Sequence, residues 1–418
     1  MQESIKDTNN LPKKIARVLL ISHGPLLYGA QRSLLAFLAG VNREIIEPFL
    51  LIPREGPLAD EARKLDIPVI ILPVNHWVAF GDTAKMNYFR RVTKVFYGLK
   101  KRVADIAAVI TQHEIDLIYT NTVTLIEGAL AARATKRPHL WHLREHVSGN
   151  KDLKAVLPAT LISKTIAALS DKIIMNSQSL GEGYKISLKD NKVAVVYNGV
   201  DLNSFPLVHD NQHIFRQELN LGQSTKVIAL IGSITPRKGV NTFIEMASKL
   251  TSNFNDIAFI VAGDGESRLT SELKAKVKQL GLNDKFHFVG WRTDVDSILC
   301  DSDLLVISAE QEPFGRTVVE AMAAGVPVVS TRCGGPEEII VDGETGFLVP
   351  ANGADELAST AAKVLSDPEL ASSFSTKGRL RVQEIFSEEA YVRNIETILI
   401  KLTNPSIPAK ESQHANKP

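Results

Sequence analysis

The chain has 418 residues, 44% of them apolar and 23% charged, with a net charge of +1. That composition excludes wholesale disorder and fibrous repeats, and no apolar run reaches the roughly 20 residues of a membrane-spanning helix. The two cysteines, Cys300 and Cys333, stand far apart with no Cys-x-x-Cys, so neither a disulfide framework nor a structural zinc site organises the fold.

At about 150 residues per domain the length asks for two or three domains. Charge divides the chain as well: residues 1–205 carry 27 Lys and Arg against 19 Asp and Glu, and residues 206–418 carry 21 against 28. The start, MQESIKDTNNLPKK, lacks the apolar stretch of a signal peptide, so a cytoplasmic location is expected.

Short apolar runs mark strands in chain order at Val18–Ser22, Phe49–Ile52, Val69–Leu72, Ile115–Tyr119, Leu140–Leu143, Lys172–Asn176 and Val193–Tyr197. A second series follows at Val227–Gly232, Ala258–Ala262, Phe286–Val289, Leu304–Ser308, Val326–Ser330 and Gly346–Val349. Most are rich in Val, Ile and Leu without polar alternation, the pattern of parallel strands covered on both faces. Helical periodicity between them, as at Gln31–Val41, Val240–Leu250 and Ser267–Leu280, points to β-α-β units. The pattern runs once through each half. We therefore expect an α/β protein with one Rossmann-like doubly wound domain over 14–205 and a second over 206–386. Residues 1–12 and 403–418 are expected to be disordered.

The segment with most chemistry runs from Ser308 to Val341, SAEQEPFGRTVVEAMAAGVPVVSTRCGGPEEIIV. A strand ends at Ser308, a loop carries Glu312, and a helix runs from about Arg316 to Ala324 with Glu320 two turns along it. The unpaired N–H groups at that helix start suit a phosphate. The loop leaves the carboxyl end of a parallel strand, where open α/β sheets bind their ligands. A carboxylate there can accept two sugar hydroxyls; a capped helix with solvated glutamates is the plainer alternative.

In order, Glu312, Pro313-Phe314-Gly315, Glu320, Ala321-Met322-Ala323, Gly325, Pro327-Val328-Val329, Gly334-Gly335 and Glu338-Ile339 resemble the signature of the family 4 retaining glycosyltransferases (glycosyl transferases group 1). The resemblance implies a GT-B fold, two Rossmann-like domains with the active site in the cleft between them, and a last helix over 387–402 crossing back onto the first domain. It implies that Glu312 contacts the donor sugar and Glu320 the nucleotide ribose. The Phe314, Gly315 and Arg316 amides would approach the sugar, with Thr317 and Val318 near the phosphates.

Upstream, Gly232-Ser233-Ile234-Thr235-Pro236-Arg237-Lys238-Gly239 follows a strand and opens a helix. A cation here can neutralise a departing nucleoside diphosphate. Lys238 matches the family lysine; Ser233 stands where the family commonly has an arginine, and Arg237 either supplies that second charge or is exposed. Gly263, in Ala262-Gly263-Asp264-Gly265-Glu266, ends the next strand. Trp291 and Arg292 end another, near where relatives hold the nucleobase; Trp291 either stacks on a base or packs.

In the first half, Tyr28-Gly29-Ala30-Gln31 resembles the family's Gly-Gly-Ala-Glu loop, and Gly29 would let backbone approach the donor. Asn176-Ser177 and Asn198-Gly199-Val200-Asp201 match family positions at strand ends, the latter read as a structural turn. Many relatives place a histidine near the sugar at the position of Arg144. Either Arg144 takes over that contact, or His142, Glu145 or His146 does so from a shifted geometry.

The expected function is retaining, metal-independent transfer of a hexosyl group from a nucleoside-diphosphate sugar to an acceptor hydroxyl, in glycolipid or cell-surface polysaccharide synthesis. Lys238, Glu312, Arg237 and Arg144 are the expected catalytic residues. No cofactor and no nucleic-acid partner are expected. A nucleotide-sugar epimerase on the same fold and a non-catalytic sugar-nucleotide-binding scaffold are the alternatives. Finally, Lys85–Arg102, KMNYFRRVTKVFYGLKKR, holds seven cations and no acidic residue. Phe89, Val92, Phe96, Leu99 and Val103 recur at helical spacing, so one helix would carry an apolar stripe bordered by cations. That composition fits docking on an anionic membrane surface, on its inner face, with a lipid-linked acceptor. Packing against the domain's own sheet is the alternative.

Overall fold

The computed structural model describes residues 15–79, 84, 86–148, 153–205 and 213–404. Two parallel sheets dominate it. The first contains β1 (Ala16–Ser22), β2 (Ile46–Ile52), β3 (Val69–Ile71), β5 (Leu117–Asn121), β6 (His139–Leu143), β8 (Lys172–Met175) and β9 (Val193–Val195), in the order β3-β2-β1-β5-β6-β8-β9. The second contains β10 (Lys226–Ile231), β11 (Ile257–Ala262), β12 (Phe286–Gly290), β13 (Leu304–Ile307), β14 (Val328–Thr331) and β15 (Phe347–Val349), in the order β12-β11-β10-β13-β14-β15. A two-stranded antiparallel ribbon, β4 (Val78–Ala79) with β7 (Lys154–Ala155), has no counterpart among the expected elements.

Both sheets are buried on both faces. Every residue of Ile257–Ala262 is buried, with Val261 in one apolar cluster and Ile260 in the cluster on the opposite face. Each such aliphatic side chain contributes roughly 1.5–3 kcal/mol on burial, which explains why these strands read as continuous apolar runs. In each sheet the strand order reverses once, between β1 and β5 and between β10 and β13. Loops leaving those strands diverge to opposite sides and open a crevice at the carboxyl ends.

The helix Glu388–Thr403 starts on its Ser387 cap, whose hydroxyl accepts from the Ala390 N–H at 3.2 Å. It packs on the first domain, where Tyr391, Val392, Ile395 and Leu399 join the cluster of Leu34, Phe37 and Leu38. The Tyr197 ring of the first domain also stacks on Phe314 of the second, and polar contacts join the domains beside it. The Gln178 and Ser179 N–H groups donate to the Glu338 carboxylate at 2.8 and 2.9 Å, and the Tyr197 hydroxyl donates to it at 3.1 Å. Residues 1–14, 206–212 and 405–418 lie outside the described residues, and Thr403, expected in the disordered end, is instead the last residue of the Glu388–Thr403 helix.

Two local expectations are corrected. The strand read at Ile115–Tyr119 begins two residues later, because Glu114 turns with φ of 50° and the Ile115 N–H closes the preceding helix on the Ile110 carbonyl at 2.9 Å. The single helix read over Lys85–Arg102 is two, Tyr88–Phe96 and Leu99–Gln112, broken at Gly98 with φ of 66°.

Candidate active site

The second-domain wall is built by the two loops at the β10/β13 reversal. After β10 the chain passes Gly232 and a 3-10 turn, Pro236–Lys238, and reaches Gly239 at φ of 67°. A Cβ at Gly239 would lie 1.8 Å from the Ser308 carbonyl oxygen. Only glycine allows this contact, and the contact brings Lys238 to the loop after β13. There the Glu312 N–H donates to the Cys333 carbonyl and the Gly335 N–H to the Glu312 carbonyl, both at 2.8 Å. This backbone clamp fixes the direction of the Glu312 side chain.

Lys238 and Glu312 form an ion pair whose side chains are 19% and 13% exposed. Burial opposes the charge on Glu312, yet Lys238, Arg237 and the Gly315 N–H hold its carboxyl below the usual carboxylate range. Arg237 is half-buried, donates to the Gln311 carbonyl at 3.2 Å, and exerts its charge on Glu312, Glu145 and His146. Its charge thus acts on groups of both domains, while Ser233 is exposed. Burial and then the Glu312 charge push the neighbouring Cys333 thiol up to about 12, leaving it chemically inert at neutral pH.

The helix Arg316–Ala323 starts from this loop, and the N–H groups of Arg316 and Thr317 fall in its first turn, where the helix offers no acceptor. Val318 differs: its side chain is core and its N–H donates to the Gly315 carbonyl at 2.9 Å. It is therefore not available to a phosphate. The Phe314 ring is likewise packing, 6.2 Å from both Tyr197 and Phe386, so only its backbone faces the crevice. Glu320, 5% exposed, accepts from Arg316 Nε at 2.7 Å, and Arg316 Nη1 reaches Ser33 of the first domain at 3.2 Å.

A cavity of about 140 Å³ lies between the walls, lined by the Glu312–Arg316 loop on one side and by Gly29, Ala30, Arg144, Glu145, Asn176 and Asn198 on the other. Gly29 opens the helix Gly29–Gly40, and nothing lies within 4 Å of where its Cβ would be. Arg144 borders the cavity, but its guanidinium is held inside the domain. Nε donates to Asn121 Oδ1 at 2.7 Å, Nη1 to Asn198 Oδ1 at 2.5 Å, and Nη2 to the Tyr391 hydroxyl at 2.9 Å and His142 Nδ1 at 3.3 Å. The geometry makes it a positioning residue that ties the last helix to the cavity floor.

His142 is fully buried and bonds the Tyr119 hydroxyl; burial and then the Arg144 charge hold its pKa well below the ordinary range. Glu145 is the side chain of this segment best placed for a ligand. It lines the cavity, and its carboxylate accepts from the Val123 N–H at 3.5 Å. Burial pushes it up to about 7 against the pull of Arg144 and Arg237. His146 is 5% exposed and packs against Gly183, near the charges of Glu312 and Arg237.

Gly263, Trp291 and Arg292 do not line the cavity. Trp291 is half-exposed after β12. Arg292 is committed to Glu218 at 2.7 and 2.8 Å and to Asp294 at 2.7 and 2.9 Å, which makes it a tie between loops rather than a ligand contact. Asn176 and Asn198, read from sequence as strand-end markers, line the cavity instead. Their signal was an amide placed just past the carboxyl end of a buried strand. Among the described residues no group of three or more His, Cys, Asp or Glu side chains is arranged to hold a metal ion.

Residues 28–204 match the model of Glycosyltransferase Family 4, and residues 211–381 that of Glycosyl transferases group 1. The chain is 30% identical over 241 residues to the lipopolysaccharide core biosynthesis mannosyltransferase LpsB of Rhizobium meliloti, covering 56% of this chain and 67% of that one. It belongs to the group 1 glycosyltransferases of family 4. A second member, the UDP-Gal:alpha-D-GlcNAc-diphosphoundecaprenol alpha-1,3-galactosyltransferase of Escherichia coli, is 24% identical over 352 residues, 81% of this chain and 88% of that one. Across four of the curated relatives the matched stretch spans 50% to 67% of their length. The fold is GT-B. Anabaena Alr3699/HepE, solved in complex with UDP-glucose, superposes with a TM-score of 0.76 at 23% identity, covering 92% of this chain and 99% of that one.

Proposed function

We propose that this group 1 glycosyltransferase moves a hexosyl group from a nucleoside-diphosphate sugar to an acceptor hydroxyl with retention of anomeric configuration. The observation that carries the reading is the Lys238–Glu312 pair, under the charge of Arg237, whose Glu312 lines a cavity with its opposite wall in the other domain. Two preorganised cations suit the charge that develops as a diphosphate leaves. The bond from the anomeric carbon to the diphosphate oxygen breaks, the acceptor oxygen bonds the same face, and the leaving diphosphate takes the acceptor proton. Glu312 orients the sugar hydroxyls, Glu320 holds the ribose, and the first-turn amides of Arg316 and Thr317 meet the phosphates. Arg237 supplies the charge that Ser233 lacks.

The family supports transfer over the epimerase and scaffold alternatives. The HepE complex favours a uridine nucleotide as the first donor to try, and the E. coli relative's name favours a lipid-diphosphate-linked sugar as acceptor, in glycolipid or cell-surface polysaccharide synthesis. The test is nucleoside-diphosphate release from a panel of UDP-, GDP- and ADP-sugars, with and without lipid-linked acceptors. Acceptor-stimulated release supports transfer. A changed sugar with no acceptor present would indicate an epimerase, and binding without release a scaffold.

A further inference from the structure

Helix Tyr88–Phe96 buries Val95 and part of Val92 in the first domain's core. Phe89 and Phe96, two turns apart on one face, are not part of that packing. Phe89 is 80% exposed, Phe96 54%, and Tyr97 in the following turn 81%. Three outward rings within nine residues form a patch the domain does not use for its own stability. Exposed cations border it at Arg90, Lys94, Lys100 and Lys101, the last paired with Asp105 at 3.0 Å.

Arg91 and Arg102 are not part of this surface. Arg91 donates to the Ala84 and Met86 carbonyls. Arg102 is buried, pairs with the fully buried Glu127 at 2.9 Å, and donates to the Val95 and Tyr97 carbonyls at 2.5 and 2.6 Å. This clamp caps the carbonyl end of the first helix and holds the Phe96–Tyr97 turn outward. Glu127 also accepts from the Asn75 N–H at 3.0 Å, and Asn75 Nδ2 donates to the Lys94 carbonyl at 2.8 Å. Two residues on, the Trp77 indole donates to the Val123 carbonyl at 2.6 Å, and the Val123 N–H meets Glu145 in the cavity wall. The aromatic patch is thus tied to the end of the sheet where the crevice opens.

We infer that Phe89, Phe96 and Tyr97, flanked by Arg90, Lys94 and Lys100, dock the first domain on an anionic lipid surface and set the crevice beside it. Aromatic rings enter the headgroup boundary while the cations meet anionic lipid, each contributing on that leaflet's field. The positive balance of residues 1–205 adds to the attraction. Docking deepens the reading of a lipid-linked acceptor but does not depend on catalysis, so it is tested without a donor. The probe is sedimentation with phosphatidylcholine vesicles with and without phosphatidylglycerol. The expected result is binding that needs the anionic lipid, weakens with salt, and falls about tenfold both in Phe89→Ser/Tyr97→Ser and in Arg90→Ser/Lys94→Ser. Melting of both variants should match the wild type, since these side chains are exposed. Wild-type protein left in the supernatant with anionic vesicles at low salt would overturn the inference. So would aromatic variants that bind vesicles normally but lose self-association, which would assign the patch to a second copy of the chain.

Discussion

Replacing Lys238 by alanine separates the chemistry of the site from its stability. The substitution leaves Glu312 a partly buried carboxylate whose remaining support is Arg237 and the Gly315 N–H. Breaking a buried pair by removing one partner costs about 3–5 kcal/mol. With the side chains 19% and 13% exposed, about 2–3 kcal/mol is the better figure, or roughly 4–12 °C in the melting of a domain this size. Turnover should fall by about 10²–10³-fold, the effect of removing one preorganised group at a developing charge. The decisive variant is the double change Lys238→Ala/Glu312→Gln. It removes the stranded charge, so melting should recover most of the loss while turnover stays at or below the single variant's value. Thermal melting and acceptor-dependent nucleotide release, on the same preparations, measure both. A double variant that regains turnover along with stability would refute the leaving-group role and reduce the pair to a structural bridge.

Three further outcomes follow from the same geometry. Glu320→Gln should raise the apparent donor constant about tenfold, equal to about 1.4 kcal/mol; an unchanged constant in a donor titration would leave Glu320 as no more than the Arg316 partner. Gly29→Leu has free space at its Cβ, so unfolding should match wild type within about 0.5 kcal/mol while donor affinity falls; normal affinity by calorimetry would show that the donor does not reach this wall. Because burial raises Glu145 from 4.5 to about 7, the folded chain keeps a proton there that the unfolded chain releases, and stability falls as pH rises through that window. Glu145→Gln should remove that slope, on the order of 3 kcal/mol, in urea unfolding across the window; identical slopes in the two proteins would contradict the assignment.

The strands were legible because burial on both faces writes itself as unbroken Val, Ile and Leu. Ile257–Ala262 needs no other explanation. The Glu312–Glu320 segment was legible from motif order, and the β10/β13 reversal explains why Lys238, far away in sequence, meets it. What sequence does not carry is the partner of a long polar side chain. Arg144 and Arg102 each read as a free cation near a site, yet each is buried and occupied by partners distant in sequence, Tyr391 for one and Glu127 for the other. Periodicity similarly placed Phe89 and Val92 on one stripe, whereas only the valine is part of the core. A 3.6-residue pattern identifies a face but not what covers it. Val318 failed for another reason: a first-turn amide is free only if the turn itself leaves it so, and here Gly315 takes it.

The measurement closest to the central claim is the anomeric configuration of the product formed from a nucleotide sugar of known configuration, read by proton NMR during turnover. The account predicts a new glycoside with the donor's α configuration, formed only when acceptor is present and lost in Lys238→Ala. A β-linked product, or free sugar with no glycoside, would contradict it.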